Sequence, residues 1–160
     1  MRKKGIGGYF VVEKLVLDTS VLVEYIVLRA PYRPKVGRLF DKASTGEVKL
    51  YVSAVTLSET FYVASRIYQI AKVDDPNVEA LDYVEWIKKR AQVVEVDEDI
   101  ALRAGELKKL LHIALPDCYV IATAEVVEAT PIFKRAERVM EPILNNLRKL
   151  KVKFLDEVEV

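Results

Sequence analysis

The chain has 160 residues, 51% hydrophobic and 31% charged, which suits one globular domain over 1–160 and excludes a disordered chain. A single cysteine, Cys118, and a single histidine, His112, exclude an intramolecular disulfide, a cysteine-based zinc site and a histidine-rich metal site. Lys and Arg number 25 against 24 Asp and Glu, so binding a polyanion through bulk charge alone is also excluded.

Met1-Arg2-Lys3-Lys4 looks like the start of a signal peptide, but Gly5, Gly7 and Gly8 break the next segment and Glu13 and Lys14 interrupt the one after. No apolar run approaches the ~20 residues that span a bilayer. The expectation is a cytoplasmic protein without a membrane partner, with residues 1–9 as a loose or edge extension. A Val/Leu-rich run over 10–17 predicts a strand buried on both faces. Helices follow over 19–29, closed by Ala30-Pro31, and over 34–43, ended by Ser44-Thr45-Gly46. A strand over 48–52 leads to Ser53, which caps a long helix to about residue 71. Asp74-Asp75-Pro76-Asn77 is the clearest loop, and Pro76 opens a helix reaching 90. A strand over 93–96 precedes Asp97, the cap of a helix to 111, and Pro116 opens another to 128. A short strand at 132–133, a helix over 136–150 and a strand over 152–155 complete the chain. Strands alternating with helices predict a three-layer α/β/α fold around a central, mostly parallel sheet. Ligands of such sheets collect beyond the carboxyl ends of the strands.

Three acidic residues stand in unusual places. Asp18 follows the first buried strand directly, where it serves as a helix N-cap, as a site acid or as both. Glu59 has Val55, Thr56, Tyr62 and Val63 as its helical neighbours, a stripe on which a carboxylate is costly unless compensated. The bland alternative is a capping box over Thr56-Leu57-Ser58-Glu59, although Ser53 is the earlier cap. Asp117 opens a helix whose same face continues through Val120, Ile121 and Ala124, so its carboxylate points inward; complementing the helix dipole is the alternative role.

Acids confined together repel unless a cation neutralises them. An oxygen-only set suits Mg²⁺ or Mn²⁺, ions that keep waters and bind phosphate. The chemistry that follows is metal-assisted hydrolysis of a phosphodiester, which needs no protein nucleophile. A phosphatase with Asp18 as nucleophile is the weaker reading, because Ser20 stands where that chemistry places a second Asp.

Leu17-Asp18-Thr19-Ser20-Val21-Leu22, Ser53 with Glu59, and Asp117 with Ile121-Ala122-Thr123-Ala124 resemble the motifs of the PIN-domain ribonucleases, in particular the VapC-like toxins. The spacings, 41 positions from Asp18 to Glu59 and 58 from Glu59 to Asp117, are similar to the family's. The resemblance covers about residues 14–155. It implies a parallel sheet of about five strands and Mg²⁺- or Mn²⁺-dependent cleavage of single-stranded RNA. It also implies a homodimer and an antitoxin partner. Carried over by position, Asp18, Glu59 and Asp117 are the metal-binding and catalytic acids, supported by Thr19, Ser20 and Thr123. The chain departs from the family after the fourth strand, where Lys134 stands at the Thr position and Ala136 at the next acid position. Glu137 lies one place off and is not expected to be a direct ligand. That departure leaves a catalytically degenerate RNA- or protein-binding module as the alternative function.

Lys134 and Arg135 are either substrate-phosphate contacts or a solvated basic helix start. Basic stretches at 29–38 and 134–153 suit an RNA backbone, with ordinary solvated faces as the simpler account. Tyr62, Tyr68, Tyr83 and Trp86 suit core packing first, a dimer patch or base stacking second. His112 and Cys118 read as structural. Few amides beside many charges fit a thermophilic source.

Overall fold

The computed structural model describes residues 2–4 and 10–160. Among them the elements run β1 (Arg2–Lys4), β2 (Phe10–Leu17), α1 (Thr19–Ile26), α2 (Arg33–Ser44), β3 (Val48–Ser53) and α3 (Ala54–Ile70). Then come α4 (Pro76–Lys88), β4 (Ala91–Val94), α5 (Glu98–Leu111), α6 (Leu115–Val127), β5 (Thr130–Phe133), α7 (Leu144–Lys149) and β6 (Lys153–Phe154). The strand order is β4-β3-β2-β5-β6, and every pairing along this path is parallel. The expected five-stranded parallel sheet is therefore present. Arg2–Lys4 add a short antiparallel strand against the start of β2. The remainder of the expected 1–9 extension, residues 1 and 5–9, lies outside the described residues.

The alternation of side chains along each strand divides the core in two. Leu15 and Leu17 of β2, with Leu50 and Val52 of β3, pack on one face against α1–α4. Val16 and Tyr51 point the other way, into a second cluster with α5, α6 and Leu147 of α7. The sheet is thus covered on both sides, as a parallel sheet requires. Fully burying a side chain such as Leu17 or Ile121 contributes about 1.5–3 kcal/mol, so both faces hold the sheet's carboxyl edge in place.

The aromatic residues around α3 and α4 split by role. Trp86 stacks on Tyr25, with ring centroids 5.2 Å apart, and on Tyr83 at 5.9 Å, and it meets Phe40 edge-on. That is core packing. Tyr62 is exposed and lies under the Arg66 guanidinium. No helix of the described residues is long and apolar enough to cross a membrane.

Several boundaries differ from expectation, three of them informatively. α1 stops at Ile26 rather than residue 29, because Val27 leaves helical geometry and the chain turns so that Tyr32 N–H reaches Glu24. β4 starts at Ala91 rather than 93, in register with Leu50. No helix fills 136–143: after β5 the chain runs irregularly to a 3-10 turn at Glu141–Ile143, and α7 begins only at Leu144. Pro142 disfavours helical backbone at the residue before it and donates no hydrogen bond. Lys134 and Arg135 consequently sit in a bend, not at a helix start. The basic stretch 134–153 is not one surface either. Lys134 follows the carboxyl end of β5, whereas Lys149 and Lys151 line a cavity with Thr130 at its amino end.

Candidate active site

Each of the three acids is set at the carboxyl end of the sheet by a local device. Asp18 N–H donates to the Ile132 carbonyl at 3.0 Å, extending the strand pairing by one residue. Its extended backbone (φ −75°, ψ 159°) then turns the chain into α1 as N-cap. Asp18 Oδ2 accepts from Ser20 N–H at 2.9 Å and from Ser20 Oγ at 2.6 Å. The capping reading and the site reading are compatible, since both Ser20 bonds fall on Oδ2.

Ser53 ends β3 and caps α3 by accepting from Val55 N–H at 3.2 Å. The helix therefore starts at Ala54, Thr56 lies inside its first turn, and the capping-box alternative for Glu59 does not hold. Glu59, one turn further, receives a hydrogen bond from Thr19 Oγ1 at 3.1 Å. That bond ties the first turn of α1 to α3 across 40 residues of sequence.

Asp117 reaches the site from the opposite side of the sheet. His112 closes α5 in left-handed geometry (φ 57°), Ile113 is fully buried, and α6 starts with Pro116 in its first turn. Asp117 has no hydrogen bond among the influences on its carboxyl. His112 is thus a C-cap and Cys118 a buried thiol, both structural as expected.

The electrostatics report the convergence. Burial pushes the Asp117 carboxyl up to about 7, with further upward pressure from Asp18, Glu137 and Glu59 and a small opposing pull from Lys108. Burial likewise raises Glu59, aided by Asp18 and Glu137 and opposed by the Thr19 bond. Asp18 is raised by burial, and the Ser20 bonds counter only part of that. No basic side chain is among the influences on Asp18 or Glu59. Uncompensated acids of this kind are the donor chemistry of a hard divalent cation. Among the described residues, no three His, Cys, Asp or Glu side chains stand close enough to clasp one ion directly. The set fits an ion that keeps part of its water shell, as Mg²⁺ and Mn²⁺ do.

The remaining residues divide clearly. Glu137 is exposed, yet its charge is felt by all three acids. Thr123 is fully buried with no hydrogen-bond partner for its hydroxyl, and on an ideal helix it lies about 120° around from Asp117. Lys134 does not offer its ammonium outward: Nζ lies 2.8 Å from Glu24 Oε2. Arg135 is exposed. Glu24 is the residue that sequence reasoning missed, although it carries the signal used for Glu59, a carboxylate at helical spacing from Val21 and Leu28.

A family model of the PIN domain matches residues 15–135, three quarters of the chain. The chain belongs to the PIN-domain family. Solved structures agree on this fold. VapBC-1 from nontypeable Haemophilus influenzae is similar at 16% identity and a TM-score of 0.60, covering 90% of this chain and 99% of that one. DNA-bound VapBC from Salmonella typhimurium gives 19% identity and 0.59, covering 81% and 92%. Mycobacterium tuberculosis VapC20, described as a toxin cleaving the sarcin-ricin loop, gives 14% identity and 0.58, covering 77% and 89%. No curated protein matches the chain in sequence. In this PIN domain, Asp18 directly follows β2, Glu59 lies in the second turn of α3 after β3, and Asp117 lies in the first turn of α6.

Proposed function

We propose that this PIN domain is a metal-dependent endoribonuclease that hydrolyses RNA phosphodiesters, acting as the toxin component of a toxin–antitoxin pair. The observation that carries the reading is the set Asp18, Glu59 and Asp117, each raised by burial and by at least one neighbouring acid, without a matching protein cation on Asp18 or Glu59. The three acids would hold Mg²⁺ or Mn²⁺, directly or through its waters. Bound there, the ion would supply a Lewis acid for activating water near neutral pH and for offsetting charge on the leaving oxygen.

The chain's own groups prepare that chemistry. Ser20 fixes one oxygen of Asp18, and Thr19 fixes one oxygen of Glu59. Asp117 would give up its proton to hold the cation, which would couple binding to deprotonation. Glu137 adds negative field from the rim without ligating. The VapBC complexes among the similar structures support an antitoxin partner, and the cleaving activity ascribed to VapC20 supports an RNA substrate. Single-stranded RNA, a homodimer and a cytoplasmic setting complete the reading.

The test is cleavage of single-stranded RNA by purified protein with and without Mn²⁺. Wild type cuts, EDTA stops it, and Asp117→Asn loses about 100-fold or more. Equal cleavage by that variant overturns the reading. The second reading, a degenerate binding module, is favoured by Ala136 at the fourth acid position and by the lack of a closed three-acid cage among the described residues. It predicts RNA or partner binding with no metal-stimulated cleavage.

A further inference from the structure

The bend after β5 holds an ion pair, with Glu24 buried and Lys134 half-buried, that the proposed chemistry does not use. Glu24 is 3% exposed; its Oε1 accepts from Tyr32 N–H at 3.0 Å and its Oε2 meets Lys134 Nζ at 2.8 Å. Lys134 is held by its backbone as well. Its carbonyl accepts from Leu155 N–H at 3.2 Å, and its own N–H donates to Ser20 Oγ at 3.1 Å. Ser20 Oγ in turn donates to Asp18 Oδ2 at 2.6 Å. A hydroxyl has one proton and two lone pairs. With the Lys134 amide filling an acceptor position, the Ser20 proton is directed at Asp18.

We propose that Glu24 and Lys134 are positioning residues: the ion pair with buried Glu24 locks Lys134 so that its amide orients Ser20 and, through Ser20, the Asp18 carboxylate. The inference rests on the metal-dependent reading above and names how the site is held. Lys134 is then not a phosphate contact, because its ammonium is committed inward. A buried pair is weak evidence for stability in itself, so its worth here is geometric. The same anchor fixes the start of the segment that carries Glu137 to the rim, a segment whose far end is pinned by buried Met140.

The decisive variant is the double substitution Glu24→Gln with Lys134→Met. It leaves no buried charge unpaired and keeps an acceptor for Tyr32 N–H, so it folds. Calorimetric Mn²⁺ affinity is expected to fall about tenfold, the range seen when groups behind metal ligands are lost. Lys134→Arg, which keeps pair and amide, stays within about twofold of wild type. Ser20→Ala lowers affinity similarly, and in that background the pair substitution adds less than about twofold, because both act through one hydroxyl. Unchanged affinity in the pair variant overturns the proposal, and so does a full multiplicative effect on top of Ser20→Ala. Hydrogen exchange at the Lys134 amide reads the same linkage without metal. It accelerates in the pair variant and in Ser20→Ala alike if the proposal holds; unchanged exchange in the pair variant overturns it. Wild type that binds no Mn²⁺ sinks the nuclease reading alone, and exchange still decides the positioning role.

Discussion

Two sets of charge stand at the same end of the sheet and are handled in opposite ways. Glu24 is more deeply buried than Asp18, at 3% against 6% exposed, yet it is matched by the Lys134 ammonium and the Tyr32 amide. Asp18, Glu59 and Asp117 receive two serine or threonine hydroxyls among them but no comparable cation. Burial alone therefore does not mark a site. Burial left without compensation does, because the missing charge must come from a ligand or the carboxyl must stay protonated. The internal pair belongs to the scaffold, and the acids are the candidates for holding an ion.

The largest expected effects pull the two sets apart. Glu24→Ala leaves the Lys134 ammonium partly buried and alone and the Tyr32 N–H without its acceptor, and it should cost about 1–3 kcal/mol in urea denaturation. Asp117→Asn should do the reverse. It removes a charge that three other acids oppose, so the cation-free variant is at least as stable as wild type at neutral pH while cleavage falls about 100-fold or more. Equal destabilisation by both substitutions would erase the distinction between scaffold pair and site acids.

A smaller effect appears with pH. The Asp117 carboxyl is raised from its ordinary value of 3.8 to about 7, so the folded protein binds a proton that the unfolded chain releases. The associated stability is fully present below about pH 4 and is lost as pH rises through about 7. Measured without divalent cation, wild type should lose stability relative to Asp117→Asn across that window. Saturating Mn²⁺ should restore it at the upper end, because the ion binds only the folded state. Mn²⁺ affinity should climb over the same range and level off above it. A difference between the two proteins that is flat with pH would remove Asp117 from the uncompensated set.

The difference between the two sets also explains what was legible in the amino-acid order. Asp18, Glu59 and Asp117 announce themselves locally, each at a strand or helix boundary or on an apolar stripe. Ser53 and Asp97 cap the helices assigned to them for the same reason, since capping spans three or four residues. Lys134 is different. Its amide partner Ser20 lies 114 residues away, and its ammonium partner sits on α1. A basic residue followed by Arg135 reads as a solvated face when only neighbours are considered. The helix expected over 136–150 fails on similar grounds: charge and apolar spacing allow it, but Pro142 and the anchoring of Lys134 at both backbone groups draw the segment into an irregular path.

The smallest test lies at Thr19, where the hydroxyl-held acids meet. Thr19 is nearly buried, and its Oγ1 donates to Glu59 Oε1 at 3.1 Å. Valine has the same branching at Cβ and fits the first turn of α1, so Thr19→Val deletes the bond with little change of shape. One neutral-donor bond to a part-buried carboxylate contributes about 1–2 kcal/mol at most, and losing it should lower stability by no more than that. The bond is also what holds the Glu59 carboxyl down against burial and the charges of Asp18 and Glu137. Without it Glu59 moves further upward. A loss of about threefold in Mn²⁺ affinity at neutral pH, recovered as pH rises, fits a hydroxyl that acts on the charge of Glu59. A loss that persists at high pH would instead mean that Thr19 sets the position of Glu59 rather than its charge, the role proposed for Ser20 toward Asp18.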